Sequence, residues 1–299
     1  MSRIPFSVGA LLLVLFVSAC GGPDSSESTG SGPGGAPGAV DAGIDTEIKG
    51  APDLAAIAAG EHRSAENRAR NGSRHPVETL KFLGLRPSSR VMEIWPSGGW
   101  YTEVIAPYVN ESGQYYAAHW DPESEIEFVR NGLQRFNQKL ADRPDLYGNA
   151  EVVVLMPPEH LAPVPPESVD LVLTFRNIHN WMGRDVEDDI FRMMYDALKP
   201  GGVLGVVEHR GDASVPQDPK AASGYVNQDY AIKLAEKAGF ALVDTSEINA
   251  NPADTKDYEK GVWTLPPTFR AGDENKEKYA EIGESDRFTL KFVKPLKGR

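Results

Sequence analysis

Nearly unbroken apolar runs recur through the middle of this chain, separated by segments of helical character, and this alternation constrains the fold more than any other feature. RVMEI (90–94), GQYYAAHW (113–120), EVVVLM (151–156), VDLVLTF (169–175) and GVLGVVEH (202–209) read as strands. GGWYTEVIAPYV (98–109), SEIEFVRNGLQRFNQKLA (124–141) and DVEDDIFRMMYDALKP (185–200) read as helices, the last stopped by Pro200-Gly201. Strands without a polar side must be covered on both faces. The pattern therefore predicts an α/β, doubly wound, mostly parallel sheet with helices on both faces and right-handed crossovers.

The flanks complete seven strands. APDLAAIAAGEHRSAENRAR (51–70) reads as one helix and HPVETLKFLGL (75–85) as a second. Near the other end NQDYAIKLAEKAGF (227–240) reads as helix, with ALVDTSEI (241–248) and RFTLKFVKP (287–295) as strands. No amphipathic helical period separates these last two strands, so they are expected to pair antiparallel at the sheet edge. The polar connection between them, 251–286, carries Trp263, Leu265, Pro266, Pro267 and Phe269 and is expected to be a flap over the ligand crevice.

Composition narrows the function. The net charge of −12 leaves no broad basic surface for phosphate backbones, so no nucleic-acid partner is expected and a small-molecule substrate, cationic or neutral, is. Residues 1–20 place Arg3 before a short apolar run and end in Val17-Ser18-Ala19-Cys20, which resembles a bacterial lipobox. Cys20 is the chain's single cysteine and the expected lipidation site. Residues 21–50, rich in Gly, Ser and Pro, are expected to be a disordered tether with a reach of roughly 25–30 Å. The folded domain then spans 51–299. This arrangement implies a cell-envelope protein held to the membrane by an N-terminal lipid anchor, with Gly21 after the cysteine favouring the outer membrane.

Several stretches share one likeness: Val91-Met92-Glu93 with Gly98-Gly99, YYAAHWDPE (115–123), Val169-Asp170-Leu171-Val172-Leu173, and Leu198-Lys199-Pro200-Gly201-Gly202. Over roughly 75–295 the chain resembles the class I S-adenosylmethionine-dependent methyltransferases. More narrowly, HPVETLKFLGL, EIWPSGGWYTEVIAP, NIHNW, GVWTLPPT and GESDR are similar to a group of bacterial predicted methyltransferases. The resemblance implies a Rossmann-like fold, S-adenosylmethionine as cofactor, and methyl transfer to a small-molecule or envelope acceptor. The family's first-strand turn has glycine at alternate positions after the acid; here those positions are Trp95, Ser97 and Gly99. The family's ribose-binding acid aligns with His119, with Asp121 two residues on; Asp121 is the expected ribose ligand because a carboxylate accepts from both hydroxyls.

In doubly wound sheets ligands bind beyond the carboxyl ends of the strands. The cofactor-binding candidates are accordingly Glu93, Trp95, Ser97, Gly98, Gly99, His119, Asp121 and Arg176. The catalytic candidates are His179 and His209 as proton acceptors and Asn177 to orient the acceptor. Glu208 and Arg210 flank His209 at the fifth strand's end. His119, His179, Glu208 and His209 lack any local ligand spacing, so no metal site is assigned. The alternative is a non-catalytic ligand- or partner-binding module on the same fold, favoured by the altered glycine turn.

Overall fold

The computed structural model describes residues 52–298; the signal-like segment, Cys20 and the tether lie outside them. In chain order the elements are α1 (Leu54–Ala59), α2 (Ala65–Ala69), α3 (Asn71–Arg74), α4 (Pro76–Leu83), β1 (Arg90–Ile94), α5 (Thr102–Val109), β2 (Gln114–His119), α6 (Glu127–Asp142), α7 (Pro144–Tyr147) and β3 (Ala150–Val154). They continue with β4 (Val169–Phe175), α8 (Ile178–Met182), α9 (Glu187–Ala197), β5 (Leu198–His209), α10 (Gln228–Ala238), β6 (Ala241–Ser246), α11 (Lys276–Ile282) and β7 (Arg287–Val293). None of the described helices is long and apolar enough to cross a membrane.

The seven strands form one sheet in the order β3-β2-β1-β4-β5-β7-β6. The first five run parallel, and β7 lies antiparallel between β5 and β6. The expected doubly wound sheet with an antiparallel edge is therefore the observed one. Alternation along β1 shows why both faces are covered. Met92 and Ile94 join the core that holds α8, α9 and α10, whereas Val91 joins the core that holds α4 and α5. In β5, a Cβ at Gly205 would lie 2.7 Å from Leu83 and Leu173 side-chain atoms, so the bare backbone lets α4 press directly on the sheet.

Two expectations change. The helix read over 51–70 is broken, because Asp53 caps α1 by accepting from the amides of Ala55 and Ala56, and Ser64 caps α2 by accepting from Asn67. Each short polar side chain starts its own helix rather than continuing the previous one. The break turns Arg63 inward, where it donates to the Ala58 carbonyl and pairs with Glu103 at 3.4 Å. The second change is at Pro200-Gly201, which stops no helix: α9 already ends at Ala197, and Leu198 pairs with Val169 as the start of β5.

Candidate functional site

The order reverses between β1 and β4, and the carboxyl ends of these strands open onto two adjoining cavities. One, of about 350 Å³, is walled by Trp95, Trp100, Tyr101, Trp120, Phe128 and Phe175 and includes Glu93, Asn177, Asn180 and Arg184; it is called here the aromatic cavity. The other, of about 470 Å³, is lined by Asn67, Arg70, Arg74, His179, His209, Trp263, Glu284 and Ser285, among others; it is called the arginine cavity. Pro96, Ser97, Trp100 and Arg176 line both. A crevice of this size at the reversal of strand order is the usual ligand site of an open α/β sheet.

The turn after β1 explains how the missing glycines are tolerated. Trp95, Ser97 and Gly99 all take left-handed backbone angles, φ +44°, +55° and +81°. The chain thus follows the path that alternate glycines permit, with two ordinary residues held there at about 1–2 kcal/mol each. Surrounding bonds impose it. Trp95 donates from Nε1 to the Leu155 carbonyl at 3.0 Å and packs edge-on against Trp181. The Ser97 carbonyl meets His119 Nε2 at 3.1 Å, and Lys139 Nζ donates to the Gly98 carbonyl at 2.6 Å. Trp95 forms part of the wall and leaves the cavity open.

Glu93, 2 % exposed, accepts from Thr102 Oγ1 at 3.0 Å and Tyr115 OH at 2.6 Å. Burial raises its pKa to about 7 against the opposing pull of these two hydroxyls and of Arg176. Arg176, in the left-handed region at φ +60°, has its pKa lowered to about 10 by burial and by the nearby Arg287.

Four expected site residues sit elsewhere. His119 is fully buried and lines neither cavity. Its Nδ1 accepts from the Trp120 amide, and burial lowers its pKa to about 4. Asp121 also lines neither: β2 ends at His119, the chain turns, and the carboxylate accepts from the Glu123 amide and faces His160 at 3.7 Å. The residue brought to the cavity from this strand end is Trp120. Gly99 shapes the turn without lining a cavity, since a Cβ there would meet Phe136 at 3.0 Å and Thr102 at 3.3 Å. Asn177, expected to orient an acceptor, commits its amide to the Ile94 carbonyl at 2.8 Å and faces the aromatic cavity, away from the histidines.

The histidines converge. His179, 8 % exposed, places Nδ1 3.1 Å from Glu208 Oε1, and His209 Nδ1 lies 2.5 Å from Ser285 Oγ. Because Glu208 presents an acceptor, His179 carries its proton on Nδ1 and leaves Nε2 as a base. His209 is held well below the ordinary histidine pKa by burial and by His179, Arg176, Arg287 and Arg74, so it stays neutral. The ligand atoms of His179, Glu208 and His209 lie within 4.8 Å of one another, three of the four residues weighed together from sequence, with His119 not among them. Glu208 Oε2 already accepts from the Ile178 amide and Oε1 from the His209 amide, and the adjacent guanidinium groups oppose a cation. The trio is therefore better suited to orienting a base than to holding a metal.

The residues missed from sequence are Asn67, Arg70 and Arg74 on the first helices and Glu284 and Ser285 ahead of β7. Trp100 Nε1 donates to the Asn67 carbonyl and Tyr101 OH to the Arg74 carbonyl, which fixes the segment carrying Arg70 and Arg74 against the turn. From the late connection, Val262, Trp263, Pro266, Pro267 and Thr268 close another side.

Residues 99–206 match the family model described as a methyltransferase domain. The match begins beyond Glu93 and most of the altered turn. No curated protein matches. A SAM-dependent methyltransferase from Aquifex aeolicus is similar in structure, with a TM-score of 0.51 and 16 % identity over 81 % of this chain and 98 % of that one. The [4+2]-cyclase SpnF gives 0.54 and 14 % over 80 % and 86 %. A putative methyltransferase in complex with the Haloferax volcanii Trm112 activator gives 0.51 and 15 % over 82 % and 97 %. The structural likenesses establish the fold; with the domain match they support the class I S-adenosylmethionine-dependent methyltransferase superfamily and S-adenosylmethionine as the cofactor. The aromatic cavity fits that group chemically, offering aromatic faces for an adenine and a sulfonium and a carboxyl group at Glu93.

Proposed function

We propose that this protein transfers the methyl group of S-adenosylmethionine to a small-molecule acceptor, with the cofactor in the aromatic cavity and the acceptor in the arginine cavity. The observation that carries this reading is the junction of the two cavities at Pro96, Ser97, Trp100 and Arg176, through which a ligand in each would meet the other near His179. When bound, the cofactor supplies an electrophilic methyl on a positive sulfonium. The protein's part is orientation and exclusion of water, whose effective molarity accounts for much of the acceleration in such displacements. Glu208 orients His179, and His179 Nε2 takes the proton that an acceptor hydroxyl, amine or thiol loses. Trp263, 6.0 Å from the His179 ring centre, screens the base from solvent.

Calorimetric titration with S-adenosylmethionine and S-adenosylhomocysteine tests this reading, with micromolar binding expected for both. No heat from the folded protein at millimolar ligand overturns it in favour of a module that binds another ligand, the reading favoured by the replacement of two turn glycines with Trp95 and Ser97. The envelope location, the lipid anchor on Cys20 and the narrower bacterial group rest on sequence alone. Cell fractionation of the wild type and Cys20→Ser tests the first two, and release of only the variant from the membrane fraction is expected.

A further inference from the structure

The protein carries a net charge of −12, yet one of its two central cavities concentrates positive charge. Arg70 and Arg74 approach Glu284 through Nε at 2.6 and 2.9 Å, and Arg287 reaches the same carboxylate at 3.2 Å. The guanidinium of Arg176 makes no hydrogen bond or ion pair with any described residue. Three guanidinium groups thus share the Glu284 carboxylate, whose pKa falls to about 2 because Arg74, Arg287 and Arg70 outweigh the upward effect of burial, and Arg176 adds a fourth positive charge nearby. Arg74 is 4 % exposed and its Nη1 has no hydrogen-bond partner, although the residue lines the cavity. Buried charge is ordinarily paired and hydrogen-bonded, so this cluster is short of an anion. Planar guanidinium forks match the geometry of carboxylate and phosphate oxygens.

We propose that Arg70, Arg74 and Arg176 hold a carboxylate or phosphate group of the methyl acceptor, with the remainder of that molecule directed toward His179. The proposal rests on the methyl-transfer reading for the word acceptor, but the oxyanion site stands on its own geometry. Arg70, Arg74 and Glu284 line the arginine cavity and not the aromatic one, which places the anion on the acceptor side of the junction. Arg176, shared by both, sits where the anion and the cofactor adjoin. Val262, Pro266, Pro267 and the edge of Trp263 provide apolar surface for the acceptor's body.

The test is calorimetric titration of the full chain at low ionic strength with inorganic phosphate and with benzoate, each with and without saturating S-adenosylhomocysteine. Binding of at least one anion is expected, undiminished by S-adenosylhomocysteine and weakened by added salt. Arg70→Gln, at the cavity rim, and Arg176→Gln are each expected to weaken the anion by about tenfold or more. Affinity for S-adenosylhomocysteine should be unchanged in Arg70→Gln, with circular dichroism confirming its fold. Failure of both anions to bind the wild type, or binding insensitive to both variants, overturns the proposal. One-for-one competition with S-adenosylhomocysteine also overturns it, by assigning the arginines to the cofactor's own carboxylate. Arginine-dependent anion binding without any S-adenosylhomocysteine binding supports the oxyanion site while removing the methyl-transfer reading, so the two failures are distinguishable.

Discussion

The two cavities share a wall but are built in opposite ways. The aromatic cavity is assembled chiefly from the ends of β1, β2 and β4 and the residues just beyond them, so its place follows from the strand order. The arginine cavity draws on α2, α3, the ends of β4 and β5, and the connection between β6 and β7. Its key ion pairs join residues 214 and 210 positions apart along the chain. A binding place inherited from topology thus lies beside one made by long-range closure.

The sharpest way to break this comparison is to remove the base on the acceptor side. His179→Ala is expected to lower turnover by about 10²–10⁴-fold while leaving S-adenosylhomocysteine affinity unchanged, as read by steady-state kinetics and calorimetry. Equal loss of both would mean that the cavities do not divide the labour.

On the aromatic side, the folded-state pKa of Glu93, about 7, lies above its ordinary 4.5, so between those values the folded protein binds more protons than the unfolded chain. The associated stability is fully present below pH 4.5 and is lost as pH rises through about 7. Denaturant melts from pH 4.5 to 8 should show Glu93→Gln gaining on the wild type by on the order of 3 kcal/mol. A pH-independent difference would contradict the assignment.

At the shared turn, Ser97→Gly should relieve a left-handed residue and stabilise the fold by about 0.5–1 kcal/mol, after allowing for glycine's greater unfolded-state freedom. A fall in melting temperature would show that Ser97 earns its place through a contact.

The sequence already exposed the sheet, its antiparallel edge, and the placement of Glu93, Arg176, His179 and His209 at strand ends, because apolar periodicity and chain order determine all of these. Asp121 was misplaced because the rule that residues two apart share a side holds only while the chain stays extended, and β2 stops at His119. The left-handed turn was hidden because Trp and Ser ordinarily avoid the backbone angles that glycine advertises. Arg70, Arg74 and Glu284 look like solvated charges in their local segments. Only the break after α1 and the fixing of this region by Trp100 and Tyr101 turn them toward one another.

The position of β7 has a consequence for the second cavity. Glu284 and Ser285 immediately precede this strand, which inserts between two earlier neighbours rather than adding to the rim. The arginine cavity therefore depends on β7 lying in place, because the carboxylate that Arg70 and Arg74 pair with is delivered by the segment leading into that strand.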